Sequence, residues 1–147
     1  MRLRMCLLAA AGVLACGAIA PAVASAHGTH VKAKMSGDQV VGQPGAPNGS
    51  GNANLHLLRQ KGKVRFKIKV SKIGGKAGLN IGVYAGKKGK NGNLAFTLTT
   101  GKLKGVVDSV PIQTLKQITR NPHRYHVTVK NSTYPTDGAI RGQTKAV

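Results

Sequence analysis

Residues 63–70, KVRFKIKV, alternate strictly between apolar and basic side chains. Successive side chains of a β-strand point to opposite faces, so this pattern predicts a strand with one buried face and one solvent-facing face. A solvated face needs only polar residues, yet every outward position here is basic. The four basic positions are Lys63, Arg65, Lys67 and Lys69.

Shorter alternating segments recur along the chain, separated by turns rich in glycine, proline and asparagine. The predicted strands are residues 29–35, 52–59, 63–70, 79–86, 94–100, 125–130 and 138–145, and residues 101–107 pair with the strand 94–100 or extend from it. Gly62 supplies a positive-φ position for a hairpin between the second and third strands. One helical window, residues 111–120, has Ser109 as its predicted cap and Pro111 in its first turn. The pattern therefore predicts an all-β fold, an antiparallel β-sandwich of about seven short strands with one short helix.

The first 26 residues have the composition of an export signal. Arg2 and Arg4 precede an apolar run that is short for a transmembrane helix, and Ala24-Ser25-Ala26 fits an A-x-A cleavage site. We predict cleavage between Ala26 and His27, with one domain over residues 27–147. An alternative is a lipoprotein anchored at Cys16, because VLAC loosely fits a lipobox.

The chain carries 23 Lys and Arg against three acidic residues, for a formal net charge of +20. Solubility alone would be served equally well by acids, so this imbalance predicts an anionic partner. Candidate partners are an anionic polymer of the cell envelope or matrix, or an anionic membrane surface. The chain has few aromatic residues for stacking bases, which disfavours specific nucleic-acid binding. The predicted polyanion-binding residues are Lys63, Arg65, Lys67, Lys69, Lys72, Lys76, Lys87, Lys88 and Lys90.

The sequence offers little catalytic chemistry. Both cysteines precede residue 27, and the only acids are three aspartates in predicted loops or beside the helix. Paired carboxylates and a phosphate-binding glycine loop are missing from the sequence. We therefore predict a protein that is not an enzyme and takes no cofactor. We expect Arg141 to hydrogen-bond within the last strand, and three histidines to lie on the surface: His56, His123 and His126.

Three segments resemble the CHRD domain, a module of secreted proteins first described in chordin. They are MSGDQVVGQPGAPNGSGNANLHL (35–57), NGNLAFTL (91–98) and YHVTVKNSTYPTDGAIRGQ (125–143). The resemblance spans roughly residues 30–145. It implies an extracellular β-sandwich of immunoglobulin-like or Cu/Zn superoxide dismutase-like architecture, without a settled activity for the single-domain bacterial members.

Many members of that family carry histidines that a metal site would need, and this chain departs from them. Gly82 and Tyr84 stand where a His-Ile-His is common, and Lys130 stands where a later histidine is common. The resemblance therefore implies no metal in the sandwich. A different hypothesis is copper binding at the mature N-terminus, where the α-amine and imidazole of His27 would chelate the ion with His30 nearby.

Overall fold

The computed structural model describes residues 28–147. This part of the chain forms eight strands and one α-helix. The strands are β1 (Thr29–Ser36), β2 (Ser50–Leu58), β3 (Lys63–Ser71), β4 (Asn80–Ala85), β5 (Leu94–Thr100), β6 (Lys104–Val107), β7 (Tyr125–Lys130) and β8 (Ile140–Ala146), and the helix is α1 (Ile112–Arg120). Single turns of 3₁₀ helix occupy Gly37–Gln39, Arg59–Lys61 and Pro122–Arg124.

The eight strands belong to one antiparallel sheet in the order β5-β4-β7-β8-β1-β2-β3-β6. The sheet curls until its two end strands approach each other. β5 continues into β6 through residues 101–103, and the amide of Ile68 in β3 donates to the carbonyl of Leu103 at 2.7 Å. The predicted all-β class with one short helix is confirmed, as a nearly barrel-like sheet of eight strands.

The predicted hairpin between residues 52–59 and 63–70 is confirmed as β2 and β3. Leu55 lies opposite Phe66, and both side chains are buried. Gly62 has φ 60°, the left-handed conformation that the turn requires. The concave side of the sheet encloses the hydrophobic core, which is filled by alternate residues of the strands as a period of two demands.

The start of the helix differs from the prediction. Ser109 has φ 59° and does not cap the helix, because Pro111 occupies the N-cap position without a side-chain hydrogen bond. Leu115 and Ile118 are fully buried, whereas Ile112 is 44% exposed. Of the three core positions that the three-residue spacing predicted in α1, two are therefore correct.

Between residues 28 and 147, no helix combines the length and the apolar character needed to span a membrane. The predicted signal peptide, the cleavage site between Ala26 and His27, and the alternative lipid anchor at Cys16 all lie outside the described residues.

Candidate anion-binding face

The basic side of β3 faces solvent along its length. Lys63, Arg65, Lys67 and Lys69 are exposed, while the residues between them are buried or half-buried. The Lys63 ammonium lies 3.3 Å from a carboxylate oxygen of Asp108, in an exposed ion pair. One member of the predicted row thus has its charge partly compensated by an acid.

Pairing of β3 with its neighbours extends this row into a surface. Lys67 lies opposite Asn54 of β2 on one side and Lys104 of β6 on the other. Asn54 in turn lies opposite Lys32 of β1, which pairs with Lys145 of β8. We call the resulting surface the basic face and define it by its exposed cations: Lys32, Lys34, Lys63, Arg65, Lys67, Lys69, Lys104 and Lys145.

Like charges lie directly opposite each other at two points of the basic face. The pairs are Lys32 with Lys145 and Lys67 with Lys104. Like charges in directly paired positions destabilise a sheet by roughly 0.2–1 kcal/mol. Within residues 28–147 the face has one ion pair, Lys63 with Asp108. Most of its charge is therefore available to an external anion.

Two histidines continue the face toward the start of β1. His30 and His56 lie opposite each other, and their rings stack with centroids 4.2 Å apart at an interplanar angle of 8°. Desolvation lowers the pKa of His56, with smaller contributions from His30 and Arg65, while a hydrogen bond with the backbone of Gly28 opposes them. The imidazole of His56 is therefore biased toward its neutral form.

A shallow groove of about 350 Å³ lies beside this histidine pair. Its lining side chains come from four strands, β1, β2, β3 and β6. They include His30, Asn54, His56, Arg65, Lys67, Lys104 and Val106. The walls are apolar and the rim is basic, since long basic side chains expose charged tips while their stems cover the surface.

The other five predicted binding residues lie in two separate loops. Lys72 and Lys76 are exposed in the β3–β4 loop, and Lys87, Lys88 and Lys90 are exposed in the β4–β5 loop. The latter loop is held against β8, from which β3 is separated by β1 and β2. The structure therefore assigns four of the nine predicted residues to the basic face. The other cations of the basic face, on β1, β6 and β8, were not among the nine predicted binding residues.

The β4–β5 loop is fixed by Arg141, which is 2% exposed. Its guanidinium donates to the carbonyls of Lys87 at 3.0 Å and Lys90 at 2.6 Å, and to the side-chain oxygen of Asn91 at 2.9 Å. The expectation of hydrogen bonds within the last strand was wrong, because the outer side of β8 is covered by this loop and its carbonyls lie within reach.

The same loop buries His126, which was wrongly expected on the surface. His126 is 2% exposed, and its ring stacks on Tyr84 with centroids 5.5 Å apart. Its Nδ1 lies 3.3 Å from the carbonyl oxygen of Gly86. Desolvation, together with the nearby Arg141 charge, lowers the pKa of His126 to about 4. His123 is exposed as predicted, and His56 is only partly exposed.

The positions where the resemblance would have placed histidines do converge. Gly82 pairs with Thr128 and Tyr84 with His126, around a small pocket of about 140 Å³ that Lys130 and Asp137 also line. The residues present do not fit a metal ion. The Lys130 ammonium lies 5.3 Å from the centre of the Tyr84 ring, and residues 28–147 contain no cluster of three or more His, Cys, Asp or Glu side chains.

The N-terminal copper hypothesis involves one described residue. His30 is exposed and stacked on His56. His27 lies outside the described residues.

Comparison with known proteins gives one family match. Residues 31–144 match the model of the CHRD domain. Searches of the curated proteins and of the solved structures returned no match. The matched segment begins within β1 and ends within β8, and it includes all of the six strands between them. The chain belongs to the CHRD domain family.

Proposed function

We propose that this protein is an exported, non-catalytic binding module that holds an anionic polymer on its basic face. The observation that carries the proposal is the register of β8, β1, β2, β3 and β6, which gathers basic residues from distant parts of the chain onto one exposed surface. CHRD membership supports a binding role and an extracellular location.

Protection of sheet edges does not account for these charges. Lysine is common on exposed edge strands because it prevents strands of other molecules from pairing there. That reason applies to Lys104, since β6 is an end strand of the sheet. It does not apply to Lys32, Lys34, Arg65 or Lys67, because β1 and β3 are paired on both sides.

The spacing of the cations suits an extended polymer. Outward residues two apart on one strand are separated by about 6.6–6.8 Å, and neighbouring strands lie about 4.8 Å apart. Both distances allow consecutive anionic groups of one chain to meet consecutive cations. Binding of this kind is weak per contact and is steeply weakened by salt, through screening and counterion release.

We expect the basic face to control retention on an anionic matrix. A variant with Lys32→Gln, Arg65→Gln, Lys67→Gln and Lys104→Gln should elute at clearly lower salt than the wild type. The matched control carries Arg59→Gln, Lys102→Gln, Arg120→Gln and Arg124→Gln, which removes the same charge from exposed positions that belong neither to the basic face nor to the predicted binding residues. Equal elution of the two variants would mean that net charge alone, and not this face, retains the protein.

Export requires removal of the leader. The mature protein is expected to begin at His27, and intact-mass analysis of secreted material would measure this directly. A mass corresponding to an acylated protein starting at Cys16 would contradict it and would place the basic face at a membrane surface. The same measurement decides whether the α-amine of His27 is free to chelate copper.

A further inference from the structure

We propose that the polymer is an acidic polysaccharide, which lies along β2 with its hydroxyl groups on the side-chain amides of Asn52 and Asn54 and its anionic groups on the flanking lysines. This inference rests on the function proposed above and assigns the chemistry of its ligand.

The outward residues of three neighbouring strands form an ordered array. In one row Asn52 lies between Lys34 of β1 and Lys69 of β3. In the next row Asn54 lies between Lys32 and Lys67. A line of exposed amides therefore runs between two lines of exposed lysines, with the same spacing of about 6.6–6.8 Å along each strand.

The amides point to a ligand that carries hydroxyl groups. A carboxamide both donates and accepts hydrogen bonds, as a hydroxyl does, whereas an ionised phosphate or carboxylate only accepts. A polymer of phosphates alone would be matched by cations throughout. An alternation of amide and cation across the strands instead matches sugar rings that carry both hydroxyl and carboxylate groups.

Asparagine is also an unusual choice for these two positions. It is depleted in strands, where β-branched and aromatic residues are favoured. β2 is an interior strand, and its inward residues Ala53 and Leu55 already supply the core contacts. Threonine or valine at the outward positions would serve the sheet better, so the two exposed amides are explained by what they bind.

The groove next to Asn54 supplies a place for one sugar ring. Its volume of about 350 Å³ lies at the lower end of the range for small-molecule sites. The imidazole of His56 and the side chain of Val106 line it, and the charges of Arg65, Lys67 and Lys104 surround it. An apolar wall with a cationic rim suits the carbon face of a ring that bears a carboxylate.

A single-stranded nucleic acid fits this surface less well. Such ligands are held by bases stacked on aromatic side chains. The rings that line the groove are Phe66, which is only 6% exposed, and His30 and His56, which are stacked on each other with centroids 4.2 Å apart.

The test compares the affinities of matched variants for three polyanions, measured by titration calorimetry at low salt. The probes are polygalacturonate, inorganic polyphosphate and single-stranded DNA. In the test variant, Asn52→Val and Asn54→Val remove both amides without a change of charge, and valine favours strands. Its affinity for polygalacturonate should fall about tenfold, the effect expected from losing two ordinary hydrogen bonds. Its affinity for the other two probes should stay within about twofold of the wild type.

The control variant carries Asn52→Gln and Asn54→Gln, which keep the amide groups, and should retain at least part of the affinity for polygalacturonate. Melting temperatures of all variants verify that the sheet is intact. An unchanged affinity of the valine variant for polygalacturonate, or an equal loss for all three probes, would overturn the assignment of the ligand. Failure of the wild type to bind any probe in a salt-dependent way would instead overturn the proposed function itself.

Discussion

Replacement of Arg141 by methionine is expected to lower the free energy of unfolding by about 3 kcal/mol. The side chain is almost fully buried and donates three hydrogen bonds to the β4–β5 loop, two of them to backbone carbonyls. Methionine is similar in length but donates none of these bonds. The carbonyls of Lys87 and Lys90 would lose their charged donor, and the loop would lose its attachment to β8.

Chemical denaturation of the wild type and the variant would measure this difference. Arg141→Lys keeps the charge but lacks the planar fork of donors, so we expect a smaller but still clear loss. Lys145→Met on the same strand removes an exposed cation, and its effect should stay within about 0.5 kcal/mol. If Arg141→Met also stayed within that range, the loop would not depend on the guanidinium.

Acid should destabilise this protein mainly through His126. The pKa of His126 is lowered from 6.5 to about 4 in the folded state, first by desolvation and then by the charge of Arg141. Above pH 6.5 the histidine is neutral in both states and its contribution is fully present. As the pH falls from 6.5 to 4, the unfolded chain binds a proton that the folded chain does not. Stability should therefore decrease by about 2–3 kcal/mol over this window.

The variant His126→Phe isolates this effect. Phenylalanine keeps an aromatic ring against Tyr84, and the carbonyl of Gly86 still accepts a hydrogen bond from Gln143 at 2.8 Å. Denaturation between pH 7 and pH 4 should show a much flatter dependence for this variant than for the wild type. His123→Gln, at an exposed position, should leave the dependence unchanged. An equally steep curve for His126→Phe would mean that other groups dominate, among them His56, whose pKa is also lowered by desolvation.

The strands were predictable because their signal is local. Residues 63–70 alternate without exception, so the exposure of Arg65 and Lys67 follows from the sequence alone. The alternation of residues 29–35 likewise placed Lys32 and Lys34 outward. The position of Lys32 and Lys34 near β3 depends on which strands pair and in what register, and a local sequence pattern predicts neither.

The burial of His126 is a second feature that a local sequence pattern could not predict. YHVTVK alternates well enough to suggest one core face and one solvent face. All of its first five residues are buried, because the β4–β5 loop folds over the outer side of β7 and β8. When a loop covers the outer face of a strand, the sequence of that strand shows no hydrophobic periodicity that would reveal the burial. Arg141 offered the one hint, since an arginine beside small and apolar residues has to find buried acceptors.

The pairing of β1 with β8 has a consequence for how the protein folds. Val31 lies opposite Ala146, which is 115 residues further along the chain, and both strands occupy the middle of the sheet. The β2–β3 hairpin can form early from neighbouring residues. On one side it reaches β5 through β6 and residues 101–103, but on the other side its hydrogen-bonded connection to β7 and β4 runs through β1 and β8. The hydrogen-bonded sheet is therefore in two parts until β8 pairs with both β1 and β7. Pairing between residues so far apart makes folding slow, because the chain loses the entropy of closing a long loop before the contact can form.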